Sequence, residues 1–124
     1  MQRRDINAAD APEPAGQYTQ AVEVTGANRV LYLSGQVGVA ADGSIPPDAE
    51  AQCALAWRNL RAQLRAADME IANLVKINTI VRDAVDIAAV RAGRAAVLGA
   101  AAYAEARAAE LTGVSPRAAS IKPR

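Results

Sequence analysis

The chain has 124 residues, enough for one domain around one core, and its formal net charge of +1 leaves no electrostatic footprint for nucleic acid. Histidine is absent and Cys53 is the sole cysteine, which excludes Ser-His-Asp and Cys-His catalysis, an ordinary Cys/His zinc site and an intramolecular disulfide. Hydrophobic residues make up 52%, but alanine supplies 31 residues and phenylalanine none, so the core is thin in large side chains and a subunit gains by burying apolar surface against copies of itself.

The segment from Met1 to Asn7 has no apolar stretch behind Arg3 and Arg4, so it does not read as a signal peptide. No run approaches the ~20 apolar residues of a membrane span. A soluble cytoplasmic protein is expected, with no membrane and no nucleic-acid partner. Residues 1–16 are polar and rich in Ala, Pro and Gly and read as an irregular arm.

From Gln17 the pattern alternates, with Tyr18, Gln20, Val22 and Val24 on one side, which predicts a strand. Thr25-Gly26-Ala27-Asn28 supplies a turn, and Arg29 to Ser34 predicts a second strand paired with the first as a hairpin. Glycines follow at Gly35 and Gly38, where a bulge or a close backbone approach is expected, and Asp42-Gly43 predicts a tight turn.

Pro46-Pro47-Asp48 opens a first helix, with Asp48 as its N-cap and Glu50 in its first turn. Cys53, Ala56, Trp57, Leu60 and Leu64 recur at helical spacing and form a packed face, while Arg58, Arg61 and Arg65 form a stripe read as solvated. Asp68 ends the helix, because Asp tolerates the left-handed conformation. A third strand runs from Val75 to Arg82, with Val75, Ile77, Thr79 and Val81 on one face. Asp83 and Asp86 are candidate caps for a second helix carrying Ile87, Val90, Val97 and Leu98, with Gly99 as its stop. Strand, strand, helix, strand, helix predicts a single α+β domain over residues 1–124, with both helices on one face of the sheet.

These stretches resemble the RidA family of reactive-intermediate enamine/imine deaminases in order and spacing. The family's Gly-x-Tyr-x-Gln-Ala-Val segment corresponds to Gly16 to Val22, and its strand ending in Ser-Gly-Gln to the stretch from Leu31 to Val37. Ala51-Gln52 and Asn59-Leu60 match the first helix. Val75 to Asp83 matches the third strand, and Ala89-Val90-Arg91 the second helix. The resemblance covers residues 16–98, about two thirds of the chain.

The resemblance implies a chorismate-mutase-like mixed sheet with two helices on one face and a homotrimer with ligand clefts between subunits. The implied activity is hydrolysis of 2-aminoacrylate and its 2-iminopropanoate tautomer to a 2-keto acid and ammonia, without cofactor or metal. It places Tyr18, Ser34, Gly35 and Gln36 at the substrate, with Arg91 where many relatives carry Asn near the cleft. The family's carboxylate clamp is an arginine in a Pro-Ala-Arg-Ser/Thr segment, and a glutamate on its last strand handles the water. Such a site is chemically coherent, because the imine carbon is already electrophilic. An arginine can hold the carboxylate through a bidentate pair, and positioned polar groups deliver water and a proton.

Residues 100–124 diverge from that pattern and carry more than one reading. Aligning Ala106-Arg107-Ala108 with the clamp segment makes Arg107 the clamp and Leu111 to Ser115 the following strand, and leaves the family's terminal glutamate strand without a counterpart. Intrinsic propensity instead predicts a helix over 100–112 stopped by Gly113, and an out-of-frame tail is a third reading. Glu105 and Glu110 are the nearby acids able to replace the family's glutamate. Three functions therefore stand: the imine/enamine hydrolase, a non-catalytic small-ligand-binding or chaperone-like trimer, and the RNA cleavage implied by the family's endoribonuclease label. The neutral charge and missing histidine weigh against the last of these.

Overall fold

A computed structural model of the chain describes residues 1–15, 18–99 and the backbone of 109–112. The architecture is mixed α+β, as the element order predicts. The strands are β1 (Gln2–Ile6), β2 (Ala21–Thr25), β3 (Lys76–Thr79) and β4 (Ala109–Thr112), and the helices are α1 (Ala49–Ala66) and α2 (Ile87–Leu98).

Three expectations are corrected at the level of strands. Residues 2–6 of the supposed irregular arm form β1, which pairs antiparallel with β2 from Gln2↔Thr25 to Ile6↔Ala21. Its residues are too polar to alternate visibly, and the strand exists because β2 offers a ladder. The predicted hairpin between the segments at 18–24 and 29–34 is therefore not formed. Residues 29–34 lie outside the ladders of the described strands. At 109–112 the helix predicted from propensity gives way to strand, because β4 lies parallel to β3 from Lys76↔Ala109 to Thr79↔Thr112. A ladder partner there outweighs preferences of a few tenths of a kcal/mol per residue. Residues 100–108 and 113–124 lie outside the described residues.

The helices follow the sequence closely. Asp48 caps α1, its carboxylate accepting from Ala51 N at 2.7 Å. At the other end Asp68 has φ +56°, Asp68 N donates to Arg65 O at 3.0 Å and Met69 N to Leu64 O at 2.8 Å. This is a Schellman motif with Asp in the place usually taken by Gly, and Met69 and Leu64 both join the core, as the motif favours. Arg29 Nη1 adds a bond to Ala67 O at 2.9 Å, placing a cation where the helix dipole favours one. Gly99 stops α2 at φ +61°, its N–H donating to Ala95 O at 2.8 Å. Asp83 and Asp86 occupy the N-terminal positions before the 3-10 turn (84–86) and α2, but neither side chain makes a capping bond.

The main core joins Cys53, Trp57 and Leu64 of α1 to Leu74 and to Leu98 of α2, with Leu33, Leu60, Met69, Ile71, Ile77 and Val97 packed around them. Each fully buried side chain of this size stabilises the fold by about 1.5–3 kcal/mol relative to exposure. A smaller cluster pairs Val81 with Val90. Val75, Ile77, Thr79 and Val81 are sheltered while Lys76, Asn78 and Ile80 are exposed, which is the predicted alternation. Arg58, Arg61 and Arg65 point to solvent. At the crossing of α1 and α2, Gly93 lies so close to Cys53 that a Cβ on it would fall 2.6 Å from Sγ. Among the described residues no helix is long and apolar enough to cross a membrane.

Candidate functional site

The segment carrying Ser34, Gly35 and Gln36 runs from a buried anchor to a bend. Leu33 packs on the main core, Ser34 and Gly35 are exposed, and Gln36 is half-buried with Nε2 donating to Ser34 O at 3.1 Å. Val39 N donates to Val37 O at 2.9 Å, so the chain turns at Gly38. A Cβ on Gly38 would stand 2.5 Å from Gln52 O and 2.6 Å from Gln52 Cα. That contact is the close backbone approach which the glycine predicts. On the α1 side, Asn59 Nδ2 donates to Val37 O at 2.9 Å and to Val39 O at 2.8 Å. Hydropathy periodicity does not single out Asn59. The available signals are the Asn59-Leu60 match to the family's first helix and an Asn inside a helix, where it is a poor helix former.

Past the bend the chain closes through the predicted Asp42-Gly43 turn. Ala40 N donates to Ser44 O at 2.8 Å and Gly43 takes φ +87°. The Ser44 hydroxyl and N–H both donate to the Asp42 carboxylate, holding its pKa below the usual value.

Tyr18 is half-buried, and its hydroxyl accepts from Ala15 N at 3.2 Å. Its neighbour Thr19 is buried and bonds through Oγ1 to Asn7 Oδ1 at 3.3 Å, while Asn7 Oδ1 also accepts from Gln20 N at 2.8 Å. These bonds secure the passage from β1 to β2 and leave the Tyr18 ring half-exposed. Arg91 is exposed on α2. Arg107, the candidate clamp, and Glu105 lie outside the described residues. Glu110 falls on β4 opposite Ile77. The structure thus carries Ser34, Gly35 and Gln36 on one clamped segment, Tyr18 on a separately anchored one and Arg91 on the second helix.

An open polar depression of about 360 Å³ lies elsewhere, on the β1–β2 ribbon, lined by Gln2, Arg3, Arg4, Glu23 and Thr25. Its Arg4 is already paired with Glu23 at 3.2 Å. Among the described residues no group of three or more His, Cys, Asp or Glu side chains could hold a metal ion. The Cys53 thiol is buried, and desolvation pushes its pKa up, away from the thiolate a nucleophile needs.

The sequence model of the family described as Endoribonuclease L-PSP matches residues 8–118. The chain belongs to the RidA family. It is 36% identical over 88 residues to a RutC family protein of Pasteurella multocida, covering 70% of this chain and 66% of that one. It is 39% identical over 90 residues to the 2-iminobutanoate/2-iminopropanoate deaminase of Capra hircus, covering 71% of this chain and 64% of the relative. The match therefore spans just under two thirds of either relative's length. Among solved structures, a conserved Rid-family protein from Yersinia pestis superimposes with a TM-score of 0.67 at 27% identity, covering 96% of this chain and 93% of that one. The RidA assignment accords with the five sequence segments from Gly16 to Arg91.

Proposed function

We propose that this RidA-family chain hydrolyses small carboxylate-bearing imines and enamines of the 2-iminopropanoate and 2-aminoacrylate type. The carbon–nitrogen bond is replaced by a carbonyl: imine plus water gives a 2-keto acid plus ammonia. The observation that carries this reading is the 39% identity over 90 residues to a relative named for imine deamination, beside a family match over residues 8–118 that contains Tyr18, Ser34, Gly35 and Gln36.

The chemistry suits the residues. The substrate brings its own electrophile, so the protein has to bind a carboxylate, hold a water and pass a proton. Arg107 is the proposed carboxylate clamp, able to form a bidentate pair, and Arg91 is a second anion contact. The Ser34 hydroxyl and the Gln36 carboxamide orient the water and the developing ammonia, and the Tyr18 ring walls the site. The reaction calls for no cofactor or metal.

The active unit in this proposal is a homotrimer whose subunits complete one another's clefts. The exposed apolar side chains Val30 and Tyr32, at 68% and 89%, and Ile80, at 66%, support an assembly that covers them. The test is keto-acid release from 2-aminoacrylate generated in situ, with Arg107→Ala beside the wild type. Release above the no-protein rate, lost in Arg107→Ala, is expected. A wild-type rate equal to the blank would leave a trimer that binds small ligands without turnover. Light scattering that gives a stable monomer would remove the trimer.

A further inference from the structure

Helix α1 grips the segment that carries Ser34, Gly35 and Gln36. Asn59 spends its carboxamide N–H donors on two carbonyls, Val37 O at 2.9 Å and Val39 O at 2.8 Å. The two acceptors flank Gly38, and Val37 O is also the acceptor that closes the bend from Val39 N at 2.9 Å. Gly38 in turn sits against the backbone of Gln52, too close for any side chain. Gln52 is held by its own bond, Nε2 to Pro46 O at 2.8 Å. Upstream, Leu33 is fixed in the main core. Ser34, Gly35 and Gln36 are therefore strung between Leu33 and the bend, and the bend is stapled to α1 through one side chain.

We propose that Asn59 is a positioning residue for the imine site: by pinning the bend at Gly38 it sets where Ser34, Gly35 and Gln36 stand relative to the substrate. This rests on the reading of those three residues as substrate contacts. The assignment follows from donor arithmetic. A carboxamide has two N–H donors on one nitrogen, and this nitrogen faces one carbonyl on each side of a single bend. A hydroxyl has one donor, and a carboxylate has none. An aliphatic side chain would leave both carbonyls without this partner in a half-buried place. The cost of an Asn inside the helix, at most ~0.7 kcal/mol relative to Ala, is smaller than the gain from two such bonds, at ~0.5–1.5 kcal/mol each.

The test uses the full chain as Asn59→Ala, Asn59→Asp and Asn59→Gln, with amide hydrogen exchange over residues 34–40 and over α1, and with KM and kcat for keto-acid formation. In Asn59→Ala and Asn59→Asp, exchange over 34–40 is expected to speed up about tenfold while α1 keeps its protection. KM is expected to rise about tenfold with kcat little changed, the pattern of lost binding rather than lost chemistry. Asn59→Gln, which keeps both donors, restores part of each. A merely structural Asn59 would loosen α1 and lower the active fraction without moving KM. Exchange over 34–40 as slow as in the wild type, or faster exchange at unchanged KM, overturns the proposal. Should the wild type prove inactive, the deaminase reading fails by itself, and the clamp is judged by the dissociation constant of 2-oxobutanoate as probe. A probe affinity unmoved in Asn59→Ala, or no binding to the wild type, overturns it.

Discussion

Gly38→Ala is the substitution for which the structure gives the sharpest expectation. Its Cβ would lie 2.5 Å from Gln52 O, 2.6 Å from Gln52 Cα and 2.8 Å from Gln52 Cβ. Carbon atoms rest about 3.5–4.0 Å apart at their energy minimum, so the overlap is close to 1 Å against backbone that no rotamer change can move. Either the bend lifts off α1, breaking the two Asn59 bonds, or α1 shifts against a core that includes Leu98 at 1% exposure. Overpacking of this kind costs about 1–3 kcal/mol, and the two bonds add ~0.5–1.5 kcal/mol each if they are lost. Against this stands the ~0.4–1 kcal/mol that Gly→Ala gains by restricting the unfolded chain.

The internal control is Gly35→Ala, three residues away. There nothing lies within 4 Å of the added carbon and φ is not positive, so only the unfolded-state gain applies. Urea unfolding at fixed protein concentration should place the midpoint of Gly38→Ala below wild type, by a net of up to ~3 kcal/mol if the Asn59 bonds hold and ~1–6 kcal/mol if they are lost, after conversion through m, and that of Gly35→Ala at or above it. Equal stability of the two variants would show that the bend does not press on α1, and the account of the clamp would go with it.

Removing the helix cap with Asp48→Ala should lower stability by about 0.5–2 kcal/mol in the same assay, because Ala51 N loses its acceptor; an unchanged midpoint would contradict the cap. Cys53 gives a pH prediction. Its folded-state pKa is raised by burial, so the native protein keeps the proton longer than the unfolded chain. The thiol's effect on stability is then constant below the ordinary thiol value near ~8.5, and stability declines as pH rises above it. Cys53→Ala should flatten that alkaline decline in unfolding midpoints measured between neutral and alkaline pH, and an identical slope in both proteins would refute the assignment.

Legibility from sequence differed by element for physical reasons. Helix α1 was open to reading because its signals are local: Asp48, Asp68 and the spacing of Cys53, Trp57 and Leu64 act within a few residues of one another. The third strand was equally plain, since one of its faces is sheltered and the other is not. β1 was hidden because Arg3 and Asp5 stand among its partly buried positions, and its strand character comes from a ladder with residues far along the chain. The stretch from Val30 to Tyr32 misled in the opposite sense. Valine and tyrosine favour strands because they suit a half-buried pleated surface, and here both side chains stand exposed. At 109–112 local preference and long-range pairing disagree, and the pairing prevails. In the candidate site the Ser-Gly-Gln segment stood out as a motif. Asn59 stood out in the same way, but its bonds to Val37 and Val39 did not, because hydrogen bonds across 20 and 22 residues leave no periodic trace.

The β3–α2–β4 connection has a consequence for how the polypeptide matures. β3 is synthesised well before Ala109–Thr112, and until those residues emerge and α2 folds back, one of its edges offers unpaired amides and carbonyls to any neighbouring strand. A chain with that edge open is exposed to association with other incomplete chains. Chaperone demand should therefore be greatest before the parallel ladder closes and subside once it has formed.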